Sequence, residues 1–343
     1  MKYLPCDNVV QMLDRLSERG AVYAPALEEG TVNFRALEPG QDPLEALRTQ
    51  NSTLSPKDLF FPQTEGIFRF SEQGGSLEIE PAEPDPEPVI VFGLRPCDAL
   101  SLELLDQAYL EGEYEETFYR QRRENSLLIT WACLNPAETC FCTSFDCEPG
   151  RTGRGDVHLT DLGEGLAVQA TSAAGEQILD DISDLLREAT PEEMDEVERA
   201  CDEATGRVTL QVPVDGIEKL LPDLYEDPIW EELSNACLGC GICTYLCPTC
   251  YCYDLDGETW GQEGMRFRCW DSCMFSDFTR MAGGENPRPT KRERVRNRFL
   301  HKLQYFVEVH GVYGCAGCGR CLANCPVGVD ITELIHRVRE CAQ

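Results

Sequence analysis

Positive charge is scarce in this chain. Its 343 residues hold 30 Lys and Arg against 61 Asp and Glu, a formal charge of −31. Nucleic acid and anionic membrane surfaces both require cationic faces, so neither is expected as a primary partner. A positively charged protein partner fits the balance, and so does a merely solvated acidic surface. Long apolar runs are missing as well. The longest, near Pro88–Leu94 and Leu127–Leu134, are strand-length, so no bilayer-spanning helix is expected. The opening MKYLPCDNVVQMLDRL lacks the apolar stretch of a secretory signal and carries Asp7 and Asp14 early.

Catalytic apparatus is equally thin. There is no G-x-G-x-x-G and no P-loop, since Gly150–Gly155 (GRTGRG) lacks the following Lys-Ser/Thr. Only four histidines occur, His158, His301, His310 and His336, and none is paired or set in HExxH. No catalytic residue is therefore assigned, and two-electron reducing equivalents have to come from a partner.

What the chain does have is cysteine, twenty in all. Secreted disulfide scaffolds are usually short, so this number in a long chain without a signal points to metal in a cytoplasmic, oxygen-poor setting. Seven cysteines precede residue 230 and thirteen lie from Cys237 to Cys341. That shift predicts a boundary, with a mixed α/β domain over 1–228 and a second domain over 229–343. In the first, Asn8–Arg19 has helical apolar spacing. Gly74-Gly75 leads into alternation at Leu77 and Ile79, and Glu80–Pro88 (EPAEPDPEP) reads as an extended loop. Val89–Phe92 and Leu127–Trp131 read as buried strands around a helix over Asp98–Tyr109, a βαβ unit. Glu176–Ala204 reads as acidic helix broken at Pro191. The second domain reads as short helices around cysteine loops, ending in an amphipathic helix over Ile331–Cys341.

Two segments fit C-x2-C-x2-C-x3-C-P: Cys237, Cys240, Cys243, Cys247-Pro248 and Cys315, Cys318, Cys321, Cys325-Pro326. Three thiolates spaced by two residues wrap three corners of a cubane. The fourth, before proline, ligates the other cluster of a two-cluster unit. This assigns Cys237, Cys240, Cys243 and Cys325 to one [4Fe–4S] cluster and Cys315, Cys318, Cys321 and Cys247 to the other. Zinc sites more often use two separated CxxC pairs. The 67 residues between Cys247 and Cys315 exceed the spacing of a compact ferredoxin. They resemble the α-helical dicluster domain found inside multi-subunit oxidoreductases. The expected fold class is thus α+β, with a mixed α/β domain followed by an α-helical ferredoxin-like domain holding two clusters.

Other cysteines are spaced irregularly. Cys97 follows one predicted strand and Cys133 the next, with Cys140 and Cys142 soon after. If the strands are neighbours, these four meet at one end of the sheet. They then form a third [4Fe–4S] site with Cys147 as a substitute ligand, or else a group of buried structural or redox thiols. Cys250, Cys252, Cys269 and Cys273 form either a further metal tetrad or packing around the first cluster. The stretch Arg280–Lys302 is locally basic. It either stabilises anionic clusters, docks an acidic partner or forms a solvated helix.

A family resemblance rests on Phe92-Gly-Leu-Arg-Pro-Cys-Asp98, Cys133 with Cys140-Phe-Cys142, and Cys247-Pro-Thr-Cys-Tyr-Cys-Tyr253. It extends to Arg268-Cys-Trp-Asp-Ser-Cys273, Ala282-Gly-Gly-Glu-Asn-Pro-Arg-Pro289 and Cys315–Pro326. The chain resembles the iron–sulfur subunit of anaerobic sulfite reductase and the β subunit of cytoplasmic sulfhydrogenases. The resemblance runs from about Val89 to the end. It implies an electron relay between a flavin/[2Fe–2S] subunit that handles NAD(P)H and a catalytic subunit. That subunit would be a sulfite reductase, a sulfhydrogenase or a heterodisulfide-reductase-like module. It also implies cluster ligands at Cys97, Cys133, Cys140 and Cys142. The rival readings are a stand-alone iron–sulfur enzyme with a substrate site in the N-terminal domain, and a scaffold whose clusters are structural. Anaerobic reconstitution tests the cluster count: about twelve irons per folded chain are expected, and about eight would remove the third site.

Overall fold

The computed structural model describes residues 1–83 and 87–341. The centre of the proline-rich loop, 84–86, lies outside the described residues.

Two sheets organise the chain. The strands are β1 (Lys2–Pro5), β2 (Ala21–Glu28), β3 (Thr31–Ala36), β4 (Thr64–Gln73), β5 (Ser76–Pro81) and β6 (Val89–Leu94). They continue with β7 (Ser126–Trp131), β8 (Val157–Asp161), β9 (Gly165–Ala170), β10 (Arg187–Glu188), β11 (Tyr253–Trp260) and β12 (Glu263–Trp270). The larger sheet has the order β10-β1-β9-β8-β7-β6-β2-β3. Its centre, β8-β7-β6-β2, is parallel, and its flanks are antiparallel. The central strands are apolar because both faces are covered. One face carries Val9, Met12, Leu13 and Leu16 of helix Val9–Ser17, packed with Ile90, Phe92 and Ile129.

The βαβ unit is present. Between β6 and β7 lies helix Pro96–Leu110, which starts with proline in its first turn, where a missing N–H costs nothing. The register Val91↔Leu128 sets β6 and β7 side by side, so the residues after both strands emerge at the same end. The acidic segment after β9 forms two helices, Ala173–Asp181 and Pro191–Arg207, with Pro191 opening the second beneath a Thr190–Glu193 capping box.

The later half departs from the helical expectation. Tyr253–Trp270 is a β-hairpin, and it joins β4 and β5 in a four-stranded antiparallel sheet of order β11-β12-β4-β5. β11 is almost wholly exposed, and its apolar alternation is confined to Tyr253 and Leu255 before Gly257 and Thr259, too short to mark a strand. The rise in cysteine density near residue 230 is therefore no break in packing, because β12 pairs with β4 across it. Gly74-Gly75 is the tight turn of the β4–β5 hairpin; both residues have positive φ, which glycine adopts without strain.

The small sheet is fixed to helix Thr117–Glu124 by a buried ion network. Arg268 of β12 faces Glu65 of β4 across the ladder and donates to it from Nε at 2.7 Å. Arg122, from helix Thr117–Glu124, pairs with the other oxygen of Glu65, and Arg268 also meets Glu116 at 3.3 Å. Removing one member leaves buried charge unpaired. Glu65→Gln is expected to cost about 3–5 kcal/mol of stability. Denaturant titration of the iron-loaded protein checks this, and an unchanged midpoint would contradict it.

Candidate metal centres

The dicluster motifs fold as loops whose glycines take left-handed conformations. Gly239 and Gly241 have φ of 69° and 78°, and Gly317 and Gly319 have φ of 61° and 73°. At Gly317 a Cβ would lie 2.5 Å from the Phe141 carbonyl oxygen and 2.6 Å from Cys142 Cα. At Gly319 it would lie 2.4 Å from the Thr139 carbonyl oxygen. Only glycine lets the Thr139–Cys142 loop press this closely onto the second motif. The contact is sealed by Phe141 N–H donating to the Gly317 carbonyl at 2.9 Å.

Cys237, Cys240, Cys243 and Cys325 line one cavity, closed by Met274, Val295, Arg298, Pro326 and Val329. The first three cysteines of one motif thus meet the last of the other. The Gly239 and Val329 N–H groups donate to the sulfurs of Cys237 and Cys325 at 3.4 and 3.2 Å. Cys240 is exposed, and its neighbour Leu238 is 65% exposed, so this set reaches the surface.

Cys315, Cys318, Cys321 and Cys247 form a second, deeper set. Burial pushes the Cys315 and Cys321 thiols up to about 12, and the Cys247 charge adds to both. Cys247 itself is held well below the usual thiol range, first by a hydrogen bond from Cys250 and then by the charge of Lys302. The Lys302 ammonium donates to Cys247 Sγ at 3.2 Å, to Thr249 Oγ1 at 2.7 Å and to the Gly314 carbonyl at 3.1 Å. Burial alone would lower Lys302; the sulfur charge it faces, at Cys247 above all, outweighs burial and raises the group. Lys57, also buried, donates to the carbonyls of Cys247 and Cys250, both at 2.9 Å.

Arg298 stands between the two sets. It is buried, it faces Cys243 and Cys321, and its Nε has no hydrogen-bond partner among the described residues. None of Lys57, Arg298 and Lys302 has a carboxylate ion pair among the described residues. Helix Lys291–Leu300 is therefore not a solvated basic helix: Arg294, Arg296 and Arg298 are buried, as is Lys302 in the π-helical turn that follows. Charge pattern alone does not disclose burial, which is why the sequence left that reading open.

The irregular cysteines also gather. Cys97 opens the helix after β6 and Cys133 follows β7, at the shared end of the two parallel strands. Cys140 and Cys142 join them through the loop pressed on Gly317. Cys140 sits close enough to Cys133 and Cys142 for their charges to raise it, after burial, to about 12. Its thiol also donates to the Cys318 carbonyl at 3.7 Å. Cys142 is lowered by a hydrogen bond from Cys147, so five thiols occupy this corner. A buried ion pair ties it to the second set. Arg320, inside the second motif, binds Asp98 beside Cys97 with two hydrogen bonds of 2.7 and 3.1 Å and also binds Ser52.

The tetrad Cys250, Cys252, Cys269 and Cys273 does not assemble. Cys269 lies in β12 opposite Asp254, among aspartates. Cys250 pairs with Cys247, and Cys252 pairs with Cys273. Among the described residues no three His, Cys, Asp or Glu side chains converge on one point as a single ion requires. A cubane instead needs thiolates spread around its corners, and the lined cavity, the thiol sets and the orphaned Arg298 Nε suit such a group. The GRTGRG loop borders a cavity of about 470 Å³ near His158 and Cys201. Its arginines are committed to acids, Arg151 to Glu198 and Asp202 and Arg154 to Glu103. His158 is locked between Thr130 and the Gly150 carbonyl.

Sequence reasoning missed Lys57, Ser52 and the Arg320–Asp98 pair. Lys57 carries no local signal. Arg320 and Asp98 carried one, since opposite charges stood beside cysteines of two separate sets.

No helix among the described residues is long and apolar enough to cross a membrane. Residues 236–329 match the family described as a 4Fe-4S dicluster domain. Over 332 residues the chain is 30% identical to sulfhydrogenase 2 subunit beta of Pyrococcus furiosus, with 96% of each chain covered. With thiol sets and cluster loops in a mixed α/β frame, this likeness over nearly the full length is decisive: the chain belongs to the iron–sulfur β-subunit family of sulfhydrogenases.

Proposed function

We propose that the chain is a three-centre electron relay within a cytoplasmic oxidoreductase complex. Its partners would be a flavin/[2Fe–2S] subunit that handles NAD(P)H and a catalytic subunit. The ligand sets are Cys237, Cys240, Cys243 and Cys325; Cys247, Cys315, Cys318 and Cys321; and Cys97, Cys133, Cys140 and Cys142. Residues 229–343 carry the first two sets and residues 1–228 the third. When bound, [4Fe–4S] cubanes supply one-electron transfer and no bond chemistry.

The observation that carries this reading is the buried positive charge among the thiols. Lys302 and Arg298 are buried beside Cys247, Cys243 and Cys321. Isolated buried cations are costly, and anionic cubanes with four thiolates offset that cost. The order of the sets supports a path: Cys240 opens the first to the surface, Arg298 faces the first and second, and Arg320–Asp98 spans the second and third. Five thiols at the third position, not three, also weigh against an open iron there and hence against a stand-alone enzyme.

Two measurements test the reading. Tagged purification from the native host under strict anaerobiosis is expected to bring down a flavoprotein with a sirohaem or nickel–iron subunit. Elution alone, with clusters intact and a substrate-dependent activity, would sink it. Arg320→Met removes positive charge beside Cys318 and Cys97, and it is expected to lower the midpoint potential of the nearest cubane. It also leaves Asp98 unpaired, at a cost of about 3–5 kcal/mol. The double variant with Asp98→Asn separates folding from potential. An unchanged midpoint in a folded, iron-replete Arg320→Met protein would remove Arg320 from the path.

A further inference from the structure

The β11–β12 hairpin brings together two cysteines that the three ligand sets leave unused. Cys252 directly precedes β11, and Cys273 comes just after β12. The strands close in register at Tyr253↔Trp270, and Asp271 N–H donates to the Cys252 carbonyl at 3.0 Å. The ladder thus clamps residues 21 positions apart at its base. There the Cys252 and Cys273 side chains face one another closely enough that each shifts the other's titration. Both pack in the same apolar cluster as Cys237, Cys243 and Cys315. The ammonium groups of Lys302 and Lys57 add positive charge facing Cys252. Cys250 is excluded from the pair, because its partner is Cys247.

We propose that Cys252 and Cys273 are a dithiol–disulfide couple in redox contact with the cubane positions, a two-electron store beside one-electron carriers. The inference rests on the relay reading. In the reducing direction the S–S bond breaks and two S–H bonds form. Two reduced cubanes each give one electron, and two protons come from solvent at Cys252, which is only partly buried. In the oxidising direction the same electrons return one at a time to two oxidised cubanes. The surroundings suit this chemistry. Cys252 is lowered to about 7, first by the Cys273 hydrogen bond and further by Lys302 and Lys57. An accessible thiolate beside a second thiol and positive charge is the arrangement that makes cysteines redox-active, whereas a core cysteine stays protonated.

The test uses the anaerobic, iron-loaded full chain, poised with mediators at a series of potentials. Each sample is quenched in acid, unfolded and labelled at neutral pH with one isotopic form of N-ethylmaleimide, then reduced and labelled with the other. Peptides are read by mass spectrometry, and cubane signals are read by electron paramagnetic resonance on the same samples. Cys252 and Cys273 are expected to exchange labels together, in one step with a two-electron slope. Cubane ligands, freed by acid, should carry the first label throughout. Both cysteines carrying the first label at every potential would overturn the proposal. So would loss of about four irons in a folded Cys252→Ser/Cys273→Ser variant, which would make them metal ligands. Absence of cubane signals in every sample would instead overturn the relay reading, and the redox contact with it.

Discussion

Positive charge buried among thiols is the constraint on which the structure turns. Most of the chain's charge is negative, yet Lys57, Arg298, Lys302 and Arg320 are placed inside. Arg320 is answered by Asp98, while the other three face sulfur and carbonyl oxygen. Such groups are stable only if what they face is anionic or strongly hydrogen-bonding. The helix that carries Arg298 is positioned for this. Its capping box at Thr290–Glu293 fixes the start, Val295 and Phe299 anchor it in the core, and the π-helical turn carries Lys302 onto Cys247.

The rest of the fold brings three cysteine-bearing segments to that charge. Parallel pairing of β6 and β7 sends Cys97 and Cys133 out at one end of the large sheet. The loop after β7 presses Cys140 and Cys142 onto Gly317 and Gly319, where no side chain is tolerated. Lys57, from the turn Pro56–Leu59 ahead of β4, and the end of β12 hold the Cys247–Cys252 segment. The Lys57 ammonium lies 4.2 Å from the Trp270 ring centroid and also binds the Cys250 carbonyl. Sites of this kind depend on supports remote in sequence: Lys57 reaches Cys247, and Arg320 reaches Asp98, only in the folded chain.

What could be read from the sequence follows from the range of each signal. Cys237–Cys247 and Cys315–Cys325 were legible because a cubane's geometry is encoded in spacings of two and three residues. The convergence of Cys97 and Cys133 was legible because short apolar strands around a helix imply parallel neighbours. Cys269 was misgrouped with Cys273, four positions on: the strand ends between them, and Cys269 turns toward Asp254. The β11–β12 hairpin escaped because β11 is exposed along almost its whole length and alternates only through Tyr253 and Leu255, too short a run to mark a strand. The buried arginines escaped for a related reason, since a guanidinium reads alike in sequence whether it meets water or sulfur.

The same charges tie metal loading to folding. Cys247 is held as a thiolate against Lys302. Arg298 faces Cys243 and Cys321, and burial raises both of those thiols. Arg298 is a buried cation with an orphaned Nε and no carboxylate partner among the described residues. In the relay proposed above, iron binding would remove the thiol protons and add negative charge beside this cation. Loading would then stabilise this half of the molecule, because the thiolates that would hold iron are the groups that Arg298 faces.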